Sequence, residues 1–406
     1  MPTACDPPRR PPGVADVPRL TVDMLDADPH AVYRQYRRQF PFVEHEKGGV
    51  LVLRYADVAR LGKDPRLVFT ETAWPEKHGI ATGAIFELCR MMFQNSREPH
   101  RRRREVFNTG FSPRAIDAWR PTIRKIADES IDRWHEGQQI ELVEHFTSEV
   151  AARSTCELLG LPSGDRALLT RLACTVSEFF DVSVTQAQLP GIQAATEELV
   201  HYLAAVVKER RRTPRDDLIS RFVAEDEADS SSAEQVGLQL VPPLLAGIDT
   251  MLKAGAIQVA LLLQYPEQWH VVRRSPERIA DAVTEALRYE PTVSSLWRTT
   301  TQDIELDGST IPAGQFVELA TMSAMRDESA YIAPDVFDIR QQRPVQSHPA
   351  FGYGRHRCVG EALVRTELEE SLSALVTRLP GLRLVEAPRI HGHAGIRRIG
   401  PMKVAW

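Results

Sequence analysis

Over most of the chain, apolar residues recur every three to four positions, the spacing of helices with one buried face. Such segments run over residues 113–136, 145–159, 166–180, 189–211, 276–289 and 361–379, with a shorter one at 216–222. The most apolar follows an acidic loop (residues 225–232), begins at the capping-box pattern Ser231-Ser-Ala-Glu234 and continues to about Leu263. Pro99 stands at a favoured first helical position and opens a further helix. Strand signals are few. Phe40–Val43 and Val50–Leu53 flank Lys47-Gly-Gly49, and Ile304–Ile311 contains an Asp-Gly turn before a strand at Phe316–Ala320. Between them a short helix, Tyr55–Leu61, stops at Gly62. Residues 70–97 show no period but carry Trp74, Phe86, Met91, Met92 and Phe93, as an irregular binding loop would. Residues 326–350 are irregular and proline-marked. The expected fold is mainly α with minor β-sheets. A proline-rich tail occupies residues 1–20, and residues 21–406 form one compact domain.

Composition narrows the function classes. The 406 residues are 43% hydrophobic and 26% charged, ordinary for a globular chain with a large core. A formal net charge of −5 gives no case for nucleic acid or an anionic membrane as partner. Five cysteines are widely spaced without a CxxC pair, which suggests neither a zinc site nor a disulfide framework. The N-terminus lacks the apolar stretch of a signal peptide, and no apolar run reads as a membrane anchor. The expectation is a cytoplasmic protein.

One stretch concentrates chemistry: Phe351-Gly-Tyr-Gly-Arg-His-Arg-Cys-Val-Gly360, running straight into a helix. A cysteine at a helix N-terminus beside Arg355, His356 and Arg357 is expected to favour the thiolate. Gly352, Gly354 and Gly360 allow sharp turns or close backbone approach. The thiolate can be a nucleophile, with His356 as base, or the complete proximal ligand of a haem. Haem would also need a proton source and cations for its carboxylates. Asp249 and Thr250, in Ala246-Gly-Ile-Asp-Thr250, lie inside the most apolar helix, where Gly247 permits a widened ladder. They read either as a proton-delivery pair or as a back-bonded threonine beside a buried ion pair. His100 and Arg104 share a helix face, and Arg298 follows the apolar Val293–Trp297. Glu285 and Arg288 are an i, i+3 pair.

Taken in order, Ala246-Gly-x-Asp-Thr250, Glu285-x-x-Arg288 and Phe351-Gly-x-Gly-x-His-x-Cys358-x-Gly360 resemble the cytochromes P450 of the soluble bacterial type, over nearly the whole chain. The resemblance implies a triangular, helical single domain with haem b between the central helix and the cysteine loop. It assigns Cys358 as axial ligand, Thr250 and Asp249 as proton-delivery pair, and His100, Arg104, Arg298 and His356 as propionate partners. Ala246, Gly352 and Gly360 would border the cofactor, and Phe351 would shield the sulfur. Glu285 and Arg288 would form a triad with Arg343, or alternatively Arg340.

The family position of the pocket implies Phe86, Phe93, Phe179, Phe180, Leu245, Val293, Leu296 and Ile396 as its wall, and a small to medium, mainly apolar organic substrate. The implied reaction is O2-dependent monooxygenation (hydroxylation, dealkylation or coupling), with electrons from a separate ferredoxin or flavodoxin and its reductase. Arg355 and Arg357, with Arg102 or Arg103, would form the docking patch for that acidic partner. Alternatives are a peroxide-using haem-thiolate peroxygenase or a non-catalytic haem-binding relative. Two departures stand out. Met325 stands where the family often has asparagine. Pro242-Pro243 removes two ladder bonds, and a kink or break of the central helix is expected there.

Overall fold

The computed structural model describes residues 17–69, 72–92, 97–226, 231–341 and 349–406. Its frame is the central helix, Ala233–Leu245, a widened turn at Ala246–Thr250, and Met251–Gln264. This unit is long and apolar enough to cross a membrane, but most of its surface is buried inside the fold. Two cores meet along it. Leu240, Leu244 and Ile248 pack with Phe107, Leu159, Leu172 and Leu199, whereas Ile257, Ala260 and Leu261 pack with Phe146, Trp269 and Leu375.

The sheets are small and lie to one side. Six strands run in the order Arg19–Leu20, Phe42–His45, Val50–Val52, Phe316–Leu319, Leu296–Thr300, Leu67–Val68. The hairpin at residues 42–52 and the turn at Asp307-Gly308 fall where the sequence places them. The strand Leu296–Thr300 carries no alternation that announces it; it is held by pairing with Phe316–Leu319.

Several local expectations need correction. Residues 70–97 are not a continuous irregular loop: helices span Ala73–Lys77 and Ala84–Met92, the second burying Ile85, Leu88 and Cys89 on one face. The helix containing Pro99 begins at Arg97, so the proline sits within the first turn, where its missing N–H costs nothing. The capping box of the central helix is Ser232 with Gln235, one residue later than read. Glu234 instead pairs with Lys208 at 2.8 Å.

The double proline does not break the central helix, which runs through Pro242 and Pro243. Proline's fixed φ is compatible with a helix, and buried Leu240, Val241 and Leu244 hold the segment through its two lost bonds. The ladder widens four residues later, at Ala246–Thr250, the place that Gly247 permits. A Cβ on Gly247 would lie 2.6 Å from Thr155 Oγ1, so only glycine allows this approach of two helices.

Glu285 and Arg288 form a fully buried ion pair, Nε to Oε2 at 2.7 Å and Nη2 to Oε1 at 2.9 Å. Arg288 also donates to the carbonyls of Met325, Pro334 and Val336. The expected third member, Arg343, lies outside the described residues. Its alternative, Arg340, is exposed and bonds Asp338 instead. Replacing Arg288 with alanine strands a buried carboxylate and three carbonyls, so thermal unfolding should reveal a loss of about 3–5 kcal/mol.

A second buried acid stands alone. Glu367, 3% exposed on the helix Glu361–Arg378, has one carboxylate oxygen without a hydrogen-bond partner. Burial pushes its pKa up to about 8, against the opposing pull of Ser154. Its contribution to stability is present below the unfolded carboxylate range and is lost as pH rises through about 8. Glu367→Gln should therefore match the parent in stability near pH 5 and exceed it by roughly 3 kcal/mol at pH 9. Parallel stability–pH curves for the two proteins would refute this.

Candidate active site

The cysteine loop is built from two single turns, Pro349–Phe351 and Gly354–His356, followed by the helix Glu361–Arg378. Gly352 and Gly354 have φ of +73° and +65°, conformations closed to most side chains. The chain then folds back so that the Cys358 amide donates to the Phe351 carbonyl at 2.8 Å. The Phe351 ring is buried, with the Arg365 guanidinium 5.1 Å from its centroid.

Cys358 faces a cavity of about 340 Å³. Val359, Gly360 and Leu363 form its floor, and Gln239, Pro242, Pro243, Ala246, Gly247 and Thr250 of the central helix form its roof. Arg104 and His356 line it too, and among the described residues no carboxylate does. The thiol does not favour its anion unaided. Burial raises its pKa, outweighing the lowering by the Gly360 amide and, across the raising effect of Glu361, by Arg104 and Arg357. A bound metal ion would reverse that balance, because a coordinating thiol is deprotonated outright.

A second cavity, about 230 Å³, adjoins the first. Met92, Pro242, Ala246 and Thr250 line both. Of the eight expected wall residues, Phe180, Leu245, Val293, Leu296 and Ile396 line it, joined by Phe69, Trp297 and Gly395. Phe179 is completely buried behind the wall, and its carbonyl accepts from Trp74 Nε1. Phe86 lines neither cavity. Phe93 lies outside the described residues.

Of the expected cations, Arg104 and His356 line the cysteine cavity, whereas Arg298 lines neither cavity and reaches His356 only through the Phe69 ring packed between them. Arg298 is 4% exposed, donates to the Trp297 carbonyl at 2.7 Å and lies 4.1 Å from the Phe69 ring centroid. Burial, then Arg355, pushes its pKa down to about 10. Arg104 is half-buried and donates to the Arg357 carbonyl; burial lowers its pKa also. Among the described residues, no carboxylate lies within ion-pair distance of Arg298 or Arg104. His356 accepts from Arg355 Nε at 3.1 Å and packs edge-on against Phe69. His100 lies on the same helix one turn before Arg104, its side chain outside the described residues. Arg104 at the rim of a slot floored by a thiol, with the buried Arg298 behind Phe69, fits a metal macrocycle that carries carboxylates.

The pair on the central helix adopts the quieter of its two possible arrangements. Thr250 Oγ1 donates to the Ala246 carbonyl at 2.6 Å. Asp249, 1% exposed, is held by Lys253 Nζ at 2.7 Å. Burial raises the Asp249 pKa, opposed by Lys253 and by hydrogen bonds from Cys174 and Ser177. Lys253 was legible as an i, i+4 partner, whereas Cys174 and Ser177 come from another helix. Of the expected electron-donor patch, Arg355 is exposed, but Arg357 is spent internally on the Gly352 carbonyl and on Glu361 at 2.5 Å. Arg102 and Arg103 have side chains outside the described residues.

The family model for cytochrome P450 matches residues 279–380, from the Glu285–Arg288 helix through the cysteine loop. A plant-inducible cytochrome P450 of Rhizobium radiobacter is 37% identical over 96% of this chain and 93% of its own. The chain belongs to the cytochrome P450 family. A mycinamicin VIII C21 methyl hydroxylase of Micromonospora griseorubida is 33% identical over 88% of this chain and 90% of its own. A solved cytochrome P450 in complex with an acyl carrier protein bearing hexadec-9Z-enoic acid superposes with a TM-score of 0.86. It has 26% identity and covers 95% of this chain and 100% of that one.

As a cytochrome P450 the protein is a haem-dependent oxidoreductase, and the cysteine cavity is the place in this fold whose donor set suits that group. Arg298→Gln removes a buried positive charge that lies one ring, Phe69, away from His356 at the cavity. Haem transfer to apomyoglobin should then run ~10-fold faster or more, a loss comparable to one charge-assisted hydrogen bond. An unchanged transfer rate would exclude Arg298 from cofactor retention.

Proposed function

We propose that this cytochrome P450 inserts one atom of O2 into a neutral, mainly apolar organic molecule of small to medium size, held in the cavity beside Thr250. The observation carrying this reading is the junction of the two cavities. Ala246 and Thr250 face both the cysteine slot and an apolar chamber lined by Phe180, Leu245, Val293, Leu296 and Ile396. Among the described residues no Asp, Glu, Lys or Arg lines that chamber, so an ionised substrate group would be desolvated there without a partner from them.

The cofactor is haem b, which supplies O2 activation when bound. Cys358 would bind its iron, His100, Arg104, Arg298 and His356 would hold its carboxylates, Ala246, Gly352 and Gly360 would border it, and Phe351 would cover the sulfur. Asp249 and Thr250 deliver protons. Lys253 is 16% exposed and Asp249 1%, so the ion pair links the solvent side of the helix to its buried side. Thr250 already donates its own proton to Ala246, which leaves its oxygen able to accept from a cavity donor. Glu285, Arg288 and Arg343 form the structural triad. Electrons come from a separate ferredoxin or flavodoxin and its reductase, with Arg355 on the docking face.

The ferrous protein with CO should display the strongly red-shifted Soret band of thiolate ligation, and Cys358→Ala should abolish it. With a turned-over substrate, Thr250→Ala should lower product per electron by roughly tenfold or more and release the difference as peroxide. Coupling equal to that of the parent would remove Thr250 from proton delivery.

A further inference from the structure

The wall of the apolar chamber opposite the central helix hangs on one hydroxyl. Ser295 Oγ accepts from Trp297 Nε1 and from the Gly395 amide, each at 3.2 Å, and donates to Glu318 Oε2 at 3.1 Å. Trp297 and Glu318 are direct cross-strand partners, so their side chains share a sheet face. Glu318 is 2% exposed and has no arginine or lysine within ion-pair distance among the described residues. Burial raises its pKa to about 7, moderated by Lys77, Ser295 and Trp297.

Gly395 is closely confined. Its φ is +74°, and a Cβ there would lie 2.0 Å from the Phe180 carbonyl oxygen and 3.0 Å from the Trp297 ring. The Gly395 carbonyl in turn accepts from the Ser294 amide and hydroxyl. Ile396 follows directly and enters the chamber. The positions of Trp297, Gly395 and Ile396 thus converge on Ser295, whose two lone pairs and single proton are all engaged.

We propose that Glu318 and Ser295 act as one positioning unit that sets the shape selectivity of the substrate chamber. Glu318 orients the Ser295 hydroxyl, and Ser295 fixes the indole of Trp297 and the backbone at Gly395. Because the Ser295 hydroxyl, Trp297 Nε1 and the Gly395 amide and carbonyl are all used within this wall, the substrate lies against them through hydrocarbon. This rests on the monooxygenase reading, but the wall can be tested separately.

Two measurements decide it. The Trp297 indole N–H, assigned by comparison with Trp297→Phe, should exchange about tenfold faster in Ser295→Ala, the loss of one hydrogen bond. In Glu318→Gln, whose amide oxygen still accepts from Ser295, exchange should stay within roughly threefold of the parent. For a series of linear and branched neutral hydrocarbons read by the haem spin-state change, Ser295→Ala should shift the ratio of dissociation constants about tenfold. Glu318→Gln should largely preserve that ratio. Unchanged indole exchange in Ser295→Ala, or parallel weakening of all ligands at a constant ratio, would overturn the proposal. A parent protein lacking the red-shifted CO band would overturn the functional reading instead, while the indole exchange would still judge the wall.

Discussion

Arg288 makes five hydrogen bonds, and all five acceptors come from groups that have no other reason to converge. Two are oxygens of Glu285 on its own helix, and three are carbonyls at residues 325, 334 and 336. The Glu285 carboxylate also accepts from the Asp338 amide. An irregular strap with little periodic structure is thereby tied to the helix Ile279–Tyr289. A buried guanidinium is low in free energy only with its whole set of acceptors, so the strap is fixed as a unit. The cysteine loop lies further along the same chain. A short stretch that must present one sulfur to a planar cofactor needs a rigid surround, and its own buried Phe351 and Tyr353 add to the one Arg288 provides.

The electrostatics of the cysteine cavity run against ordinary protein design. Arg298 and Arg104 are drawn out of water with only carbonyls for company, and the Cys358 thiol sits above its usual pKa. Each alone is unfavourable, and together they are complementary to one ligand: a cation for the thiolate, and carboxylates for the arginines. Elsewhere the chain pairs its buried charges carefully. Glu290 is held between Arg397, His30 and Arg326, and Arg210 between Glu209 and Asp217. Among the described residues, Glu318 and Glu367 are also buried without a cation at ion-pair distance, but burial pushes both toward the neutral acid, a relief that an arginine lacks. Arginines short of a carboxylate beside a thiol are therefore the more telling mark of a cofactor slot.

What was legible in the sequence follows the range of the forces involved. Helices with one apolar face, the Asp307-Gly308 turn and the glycine-marked cysteine loop are specified by neighbours a few residues away. The widened turn at Ala246–Thr250 was foreshadowed by Gly247, since the backbone there had to approach Thr155. The break that Pro242-Pro243 suggests does not occur, because the local rule counts lost ladder bonds and omits the burial of Leu240, Val241 and Leu244. Residues 73–92 misled for the opposite reason: two short helices too brief to show a period are stabilised by burying Trp74, Ile85 and Leu88. Asp249 and Thr250 could be located from sequence, but their partners could not, because Cys174 and Ser177 arrive from a separate helix.

The same distinction separates chemistry from selectivity. The residues proposed for the reaction, Cys358 and the Asp249–Thr250 pair, sit in short stretches with a fixed spacing, and so can be read along the chain. The chamber wall has no such stretch. Trp297, Glu318, Phe180 and Gly395 are brought together by strand pairing and by an isolated bridge between Val293 and Ile396. No local pattern predicts that a serine before a strand will accept from a glycine one hundred residues later. Phe69, Met92 and the central helix join this wall to the cysteine cavity. Single replacements at Ser295 or Ile396 can still change its contour while the glycine turns and the Cys358–Phe351 hydrogen bond of the cysteine loop stay in place. The fold thus keeps its reaction while leaving its substrate free to vary.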